Sequence, residues 1–295
     1  MNADLSEEKW ILLHEEANRR RVSTATKYFR DAGIAPVLLK GWSIARFYDP
    51  AIVRVYSDID LAVDPVEEDQ AVRLWRAYPH GENLIDLHFG LRRLDKLPWR
   101  ELVGASYVLD LDGTSIRVLA DEDNLRVTAV HWLTDGGVNK ERLWDIFYLV
   151  KNRKEDFDWE RCLESNGPVR KTWVMAAIAT ARDHLNLDVS GLPEEAQRFQ
   201  LPSWYKKTLD KEWKRGVYPR RILATVITRP KLLAEQLYRR FPPNKIAATI
   251  DTESPIDESS RIPAQIKSLT NKIVPFARGL ARRLTYSRHS GKTKP

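Results

Sequence analysis

The sequence predicts an α/β (α+β) chain: a small mixed-sheet domain followed by a helical domain. Three observations carry that prediction. Short apolar runs of strand type alternate with helical patterns up to about residue 120. Asp112-Gly113, a hairpin turn dipeptide, sits between two such runs. From Asp121 onward the periodicity is helical throughout, and strands first with helices after is the signature of an α/β domain with a helical companion. The expected division is 1–120 for the α/β domain with its N-terminal helix, 121–245 for the helical domain, and 246–295 for a polar linker and basic tail.

Each element has a local reason. Residues 5–32 read as helix because Trp10, Leu13, Ala17, Val22, Ala25 and Phe29 recur near helical spacing, and Gly33 stops it. Val37-Leu38-Leu39 is the first strand, and Lys40-Gly41 turns it into a short helix from Trp42 to Tyr48, ended by Asp49-Pro50. Asp58 to Val63 is the second strand. A helix from Pro65 to Tyr78 follows, with Glu67, Glu68 and Asp69 beside the positive end of its dipole. Leu84 to Leu91 is the third strand, and Ser106–Leu111 with Thr114–Leu119 forms the hairpin. The later helices are expected at 121–133, 140–152, 159–165, 169–185, 194–199, 203–213 and 220–240, parted by Gly and Pro breaks.

Composition narrows the class. The chain has 295 residues, 43% hydrophobic and 30% charged, which is globular composition with a real core. One cysteine, Cys162, allows no intrachain disulfide and fits a reducing cytosol. The start, Met1-Asn2-Ala3-Asp4, lacks the basic and apolar segments of a signal peptide. The longest largely apolar run, Trp173 to Ala181, is far short of the roughly 20 residues that cross a bilayer. A cytoplasmic chain is expected. The net charge of +7 is uneven: nine Lys/Arg and no acid lie from Ser259 to Pro295, which leaves −2 for the rest (7 − 9).

The chemistry concentrates in two stretches, Lys40-Gly41-Trp42-Ser43 and Ser57-Asp58-Ile59-Asp60. Alternation along a strand points Asp58 and Asp60 the same way, about 7 Å apart. Two acids on one face repel unless a cation or water intervenes. Asp86 and His88 share a face of the third strand. Three carboxylates converging on one sheet edge would bind two Mg²⁺ (or Mn²⁺) ions about 3.5–4 Å apart. Gly41 at a strand-to-helix turn lets backbone approach a phosphate, and the Ser43 hydroxyl can add a bond, or serve as a helix cap. Lys40 and Arg54 read equally as phosphate clamps or as solvated loop residues. Asp110 is a rival to Asp86, but Asp112 beside it belongs to a turn, which favours Asp86. His131, Arg142 and Asp145 read first as a polar bridge between consecutive helices. Cys162 has no neighbouring base and is not read as a nucleophile.

The order Lys40-Gly41-x-Ser43, Asp58-x-Asp60, then Asp86 on a further strand resembles the nucleotidyltransferase superfamily that includes DNA polymerase β and the aminoglycoside nucleotidyltransferases. More narrowly, Leu39-Lys40-Gly41, Tyr48-Asp49-Pro50, Arg54, Asp58-Ile59-Asp60-Leu61, Asp86-Leu87-His88, His131 and Arg142-Leu143-Trp144-Asp145-Ile146 are similar to a bacterial uncharacterised nucleotidyltransferase family. The family pattern sets Gly-Gly or Gly-Ser side by side, whereas Trp42 separates Gly41 from Ser43 here. The resemblance implies an enzyme that uses Mg²⁺ or Mn²⁺ and ATP or another NTP as substrate. Asp58, Asp60 and Asp86 would be its metal ligands, with Asp86 also the base. Gly41 and Ser43 would hold phosphates. The acceptor is open: a small molecule, a glycan precursor, a protein or an RNA end. A non-catalytic nucleotide-, RNA- or membrane-binding protein on the same fold is the alternative.

The tail carries Ile266, Leu269, Ile273, Phe276, Leu280 and Leu284 at steps of three and four, with basic residues between. Such a segment contacts an anionic membrane or RNA, or packs on its own body, so peripheral membrane placement is one expectation. Oligomeric state is not legible.

Overall fold

A computed structural model of the chain describes residues 2–79, 81–216 and 241–271. The helix expected at 220–240 and the tail from 272 onward lie outside the described residues.

The chain divides into two compact units, Met1–His131 with Glu141–Gln200, and Trp132–Lys140 with Leu201–Pro295. In the first unit, helix α1 (Asn2–Asp31) precedes strand β1 (Val37–Leu39), short helix α2 (Gly41–Ala45) and strand β2 (Ile59–Val63). Helices α3 (Glu68–Ala77) and α4 (Gly81–Leu84) lead to β3 (Ile85–Phe89). Helix α5 (Trp99–Ala105), which the sequence pattern did not signal, precedes the hairpin β4 (Tyr107–Leu111) and β5 (Thr114–Val118). The five strands form one mixed sheet in the order β3-β2-β1-β5-β4. Strand β1 is antiparallel to β2 and parallel to β5, and β2 is parallel to β3.

The central strands are buried along their whole length. That explains why β1 and β2 read as continuous apolar runs broken only at Asp60. On one face, Val22, Ala25 and Phe29 of α1 pack with Leu38, Leu61 and Ile116 of the sheet, and Ala71 of α3 completes the cluster. The Tyr28 hydroxyl donates to the Leu74 carbonyl at 3.2 Å, tying α1 to α3.

Helices α6 (Asp121–Thr134), α7 (Leu143–Lys151), α8 (Trp159–Glu164), α9 (Gly167–Leu185) and α10 (Glu194–Arg198) follow. Residues from 121 to 131 and from 141 to 200 belong with the sheet, so the division does not fall at residue 120. Helix α9 explains this: its run from Trp173 to Ala181 is buried, with α7, α8 and α10 packed around it, and α7 packs in turn on α2. Burial of that run supplies core to the first unit rather than founding a separate one. Among the described residues no helix is long and apolar enough to cross a membrane.

A buried polar cluster locks α6 to its neighbours. Arg126 reaches Asp95 at 2.9 Å and Asp123 at 2.6 Å, and Arg161 closes on Asp123 at 2.7 Å. The Arg126, Asp95 and Asp123 side chains are no more than 1% exposed. Breaking such a group from one side leaves a charge in the interior. Arg126→Met is therefore expected to cost about 3–5 kcal/mol in chemical denaturation. A loss under about 1 kcal/mol would mean that Asp95 does not depend on Arg126.

In the second unit, α11 (Ser203–Arg215) packs on α12 (Lys245–Asp251), and a further helix, α13, spans 262–271. Gly137, at φ +66°, lies so close to α11 that a Cβ there would stand 2.6 Å from Leu209 Cδ2. Its carbonyl accepts from the Trp213 indole at 2.8 Å.

Candidate functional site

The site begins where β1 ends. Leu39 is paired with Asp60 across the antiparallel ladder. The chain then passes through two residues with positive φ, Lys40 at 46° and Gly41 at 44°. Glycine is at ease there and lysine is not, so Lys40 holds about 1–3 kcal/mol of backbone strain that the surroundings must maintain. The turn carries the Lys40 side chain to Asp60, with Nζ 2.5 Å from Oδ1. Both side chains are nearly buried, 9% and 4% exposed.

Parallel pairing puts Asp86 in register with Asp60 on the neighbouring strand. In-register residues of a parallel pair share a face, and so does His88 two positions on. His88 Nε2 lies 3.3 Å from Asp60 Oδ1 and 3.5 Å from Asp86 Oδ2. Behind Lys40, its ammonium donates to His131 Nε2 at 3.3 Å, a bond that requires the neutral imidazole acceptor. The outcome is a polar chain, His131–Lys40–Asp60–His88–Asp86, running from the half-buried His131 to the 60% exposed Asp86.

The charges set one another. Burial pushes the Asp60 carboxyl up, but the bonds from His88 and Lys40 outweigh it and hold it below the usual carboxylate range. The His88 bond likewise lowers Asp86. Burial alone would lower His88; its bonds to Asp60 and Asp86 reverse this and raise it to about 9. A raised folded-state pKa contributes stability that is complete below the unfolded value of 6.5 and is lost as pH climbs through about 9. With divalent ions removed by chelator, His88→Gln should lower the unfolding temperature below about pH 6.5 and have little effect above about pH 9. Equal shifts at both ends would remove the charged-pair reading of His88.

A second bond system holds the turn from the far side. Arg54 grips Asp145 at both carboxylate oxygens, Nε to Oδ1 at 2.5 Å and Nη2 to Oδ2 at 2.8 Å. Its third nitrogen, Nη1, donates to the Gly41 carbonyl at 3.2 Å. The Tyr48 hydroxyl adds a bond to Asp145 Oδ1 at 2.7 Å, and its ring packs on Tyr148 with centroids 4.2 Å apart. Burial beside this carboxylate pushes the Tyr48 hydroxyl up, and the guanidinium stays charged against the cost of burial because Asp145 faces it. Arg54 is thus not a solvated loop residue: two of its nitrogens hold Asp145 and the third holds the Gly41 carbonyl.

The remaining candidates fall as follows. Ser43 is 1% exposed, and its Oγ has no hydrogen-bond partner among the described residues. Helix α2 is only five residues long, so it offers little of a helix dipole. Trp42 is half-buried against the sheet core. Asp58 lies one residue before β2, exposed, and outside the cluster that Asp60 forms. Asp110 accepts from the Gly113 amide, and Asp112 pairs with Arg19 at 2.5 Å, both at the hairpin on the opposite side of the sheet from β3.

His131 and Asp145 were expected to bridge their own helices. Each reaches back to the β1–α2 turn region, His131 to Lys40 and Asp145 to Arg54. Tyr48 was missed as a site residue altogether. The one sequence signal for these three was their place in the family pattern, since nothing local marks a partner 91 or 97 positions away.

One ligand atom each from Asp60, Asp86 and His88 lie within 4.8 Å of one another, a group able to hold one divalent cation. Two carboxylates with an imidazole suit Mn²⁺ or Zn²⁺ better than Mg²⁺, which prefers oxygen alone. The Lys40 ammonium already occupies the Asp60 Oδ1 side, and a metal would have to share or displace it.

No protein-family model matches the chain, and no curated protein does. Among solved structures it is similar to the crystal structure of an antigenic nucleotidyltransferase-like protein from Paracoccidioides brasiliensis, with 14% identity and a TM-score of 0.39, over 57% of this chain and 89% of that one. A likeness of that size carries no argument.

Proposed function

We propose that the chain is a metal-dependent nucleotidyltransferase, moving a nucleoside monophosphate from an NTP to an acceptor. The observation that carries this is the in-register pair Asp60 and Asp86, joined by His88 and set beside the strained Lys40–Gly41 turn. The sequence order of Lys40-Gly41, Asp58-x-Asp60 and Asp86-x-His88 supports the same reading. A bound divalent cation would supply charge neutralisation at the triphosphate and the leaving pyrophosphate.

The protein's own groups have separable tasks. Asp60, Asp86 and His88 would hold the cation. Asp86, the most exposed of them, is placed to take the proton from an acceptor hydroxyl. Lys40, with His88, keeps the Asp60 carboxylate ionised and brings a positive charge into the turn itself. Ser43 offers a buried hydroxyl, unpartnered among the described residues, to a phosphate oxygen. Arg54 fixes the Gly41 carbonyl and with it the path of the turn. A second cation would draw on Asp58, an exposed carboxylate two residues ahead of Asp60. The acceptor class stays among a small molecule, a glycan precursor, a protein side chain and an RNA end.

One observation favours a second reading, nucleotide binding without turnover. The Lys40 ammonium at 2.5 Å already balances Asp60, as it would in a site that holds no metal. The test is a screen of all four α-labelled NTPs with Mg²⁺ or Mn²⁺ against fractionated lysate. Label in one fraction, with pyrophosphate released and chelator abolishing both, supports transfer. NTP binding insensitive to chelator, with no label in any fraction, supports the second reading instead.

A further inference from the structure

The second unit carries a groove that the proposed chemistry does not use. It holds about 610 Å³ between α11 on one side and the segments around Phe241–Lys245 and Glu258–Gln265 on the other. Lys207, Lys211 and Arg215 line it from α11. They are four residues apart, so they rise about 6 Å per step along one wall. Lys245 faces it from the other wall, and Glu212 and Glu258 are its only acids among the described residues. Lys207, Lys211 and Lys245 make no ion pair among those residues, whereas Arg261 is held by Asp257 at 2.6 Å. The Lys207, Lys211 and Lys245 charges are therefore unneutralised among the described residues, within a chain whose first 258 residues sum to −2 (7 − 9).

The groove is also aromatic at its rim. Phe241 is 61% exposed at that rim, its ring face open to a stacking partner. Trp204 lies in the lining, its ring braced by the Arg261 guanidinium 5.0 Å away. Hydroxyls of Ser203, Ser259 and Ser260 complete the polar surface. A row of cations at even spacing beside an exposed ring is what a strand of phosphates and unpaired bases requires. A bilayer surface is flat and meets convex basic faces, not a recess. A duplex hides its bases from the ring.

We infer that this groove binds single-stranded nucleic acid, its phosphates along Lys207 and Lys211 and a base on Phe241. The inference stands apart from the chemistry at Asp60 and survives or fails without it.

The experiment uses the full chain and labelled single-stranded RNA and DNA 12-mers, read by fluorescence anisotropy over a salt series. Lys207→Ala/Lys211→Ala should weaken binding at least about tenfold and flatten the salt slope by about 1.4, near 0.7 per phosphate contact. Phe241→Ala should weaken it about fivefold or more with the slope unchanged. These three sites are exposed, so circular dichroism should match the parent. A chain ending at residue 271 should retain groove binding. Several results would overturn the inference: no oligonucleotide binding; a double variant that binds like the parent; binding lost with the truncation alone; or poly-glutamate or anionic vesicles bound as tightly and weakened by the same variants.

Discussion

Asp86→Ala is expected to reduce label transfer from an α-labelled NTP by at least about a hundredfold while leaving the fold stable. Its side chain is 60% exposed, and its one ion-pair partner among the described residues is His88 at 3.5 Å. Removing it deletes a proposed metal ligand and the proposed base but buries no orphaned charge. Asp60 is the contrasting case. It is 4% exposed and faces both Lys40 and His88. Asp60→Ala should abolish transfer too, but at a further cost of about 3–5 kcal/mol, because the nearly buried Lys40 loses its counter-charge and His88 keeps only Asp86. Denaturation curves and transfer rates on the same preparations separate the two effects. Undiminished transfer by Asp86→Ala would sink the ligand assignment. Unchanged stability in Asp60→Ala would sink the account of Lys40 as its counter-charge.

Arg54→Ala should be the most damaging change to transfer outside the proposed metal ligands. The Arg54 and Asp145 side chains are 12% and 7% exposed and joined by two bonds. Truncating the arginine leaves Asp145 with the Tyr48 hydroxyl alone, at an expected cost of about 3–5 kcal/mol. The Gly41 carbonyl loses its donor at the same time. Arg54→Lys keeps the charge but not the planar fork, so it should recover only part of the stability. Arg54→Met with Asp145→Leu removes both charges and should regain most of it, yet transfer should stay low because the turn is still unheld. Transfer restored in that double variant would show that Arg54 acts on the fold only and not on the turn.

Much of the candidate site was legible from period two alone. Strand parity put Asp86 and His88 on one face, and they stand 3.5 Å apart there; the Asp112-Gly113 turn disfavoured Asp110, which accepts from the Gly113 amide. Parity also paired Asp58 with Asp60, but β2 starts at Ile59, so Asp58 sits outside the ladder that orders Asp60. Lys40 and Arg54 could not be assigned from sequence, because a cation's role depends on which anion is near, and theirs lie far along the chain. The two compact units divide the chain at other positions than periodicity suggests, for a related reason. Helical periodicity states that α6 to α10 are helices, not which core their apolar faces join.

The sequence by itself determined the alternation of strands and helices, the sharp turn at Gly41, and the two acids that can share a face with an imidazole. These follow from local rules: side-chain alternation, the conformational freedom of glycine, and turn preference. Only the tertiary structure decided that Lys40 folds back onto Asp60 and that His131 stands behind it. It alone decided that Arg54 is spent on Asp145 and that a basic groove forms in the second unit. The physical reason is that burial sets the strength of a charge pair, and burial is a property of the packed chain rather than of any segment of it.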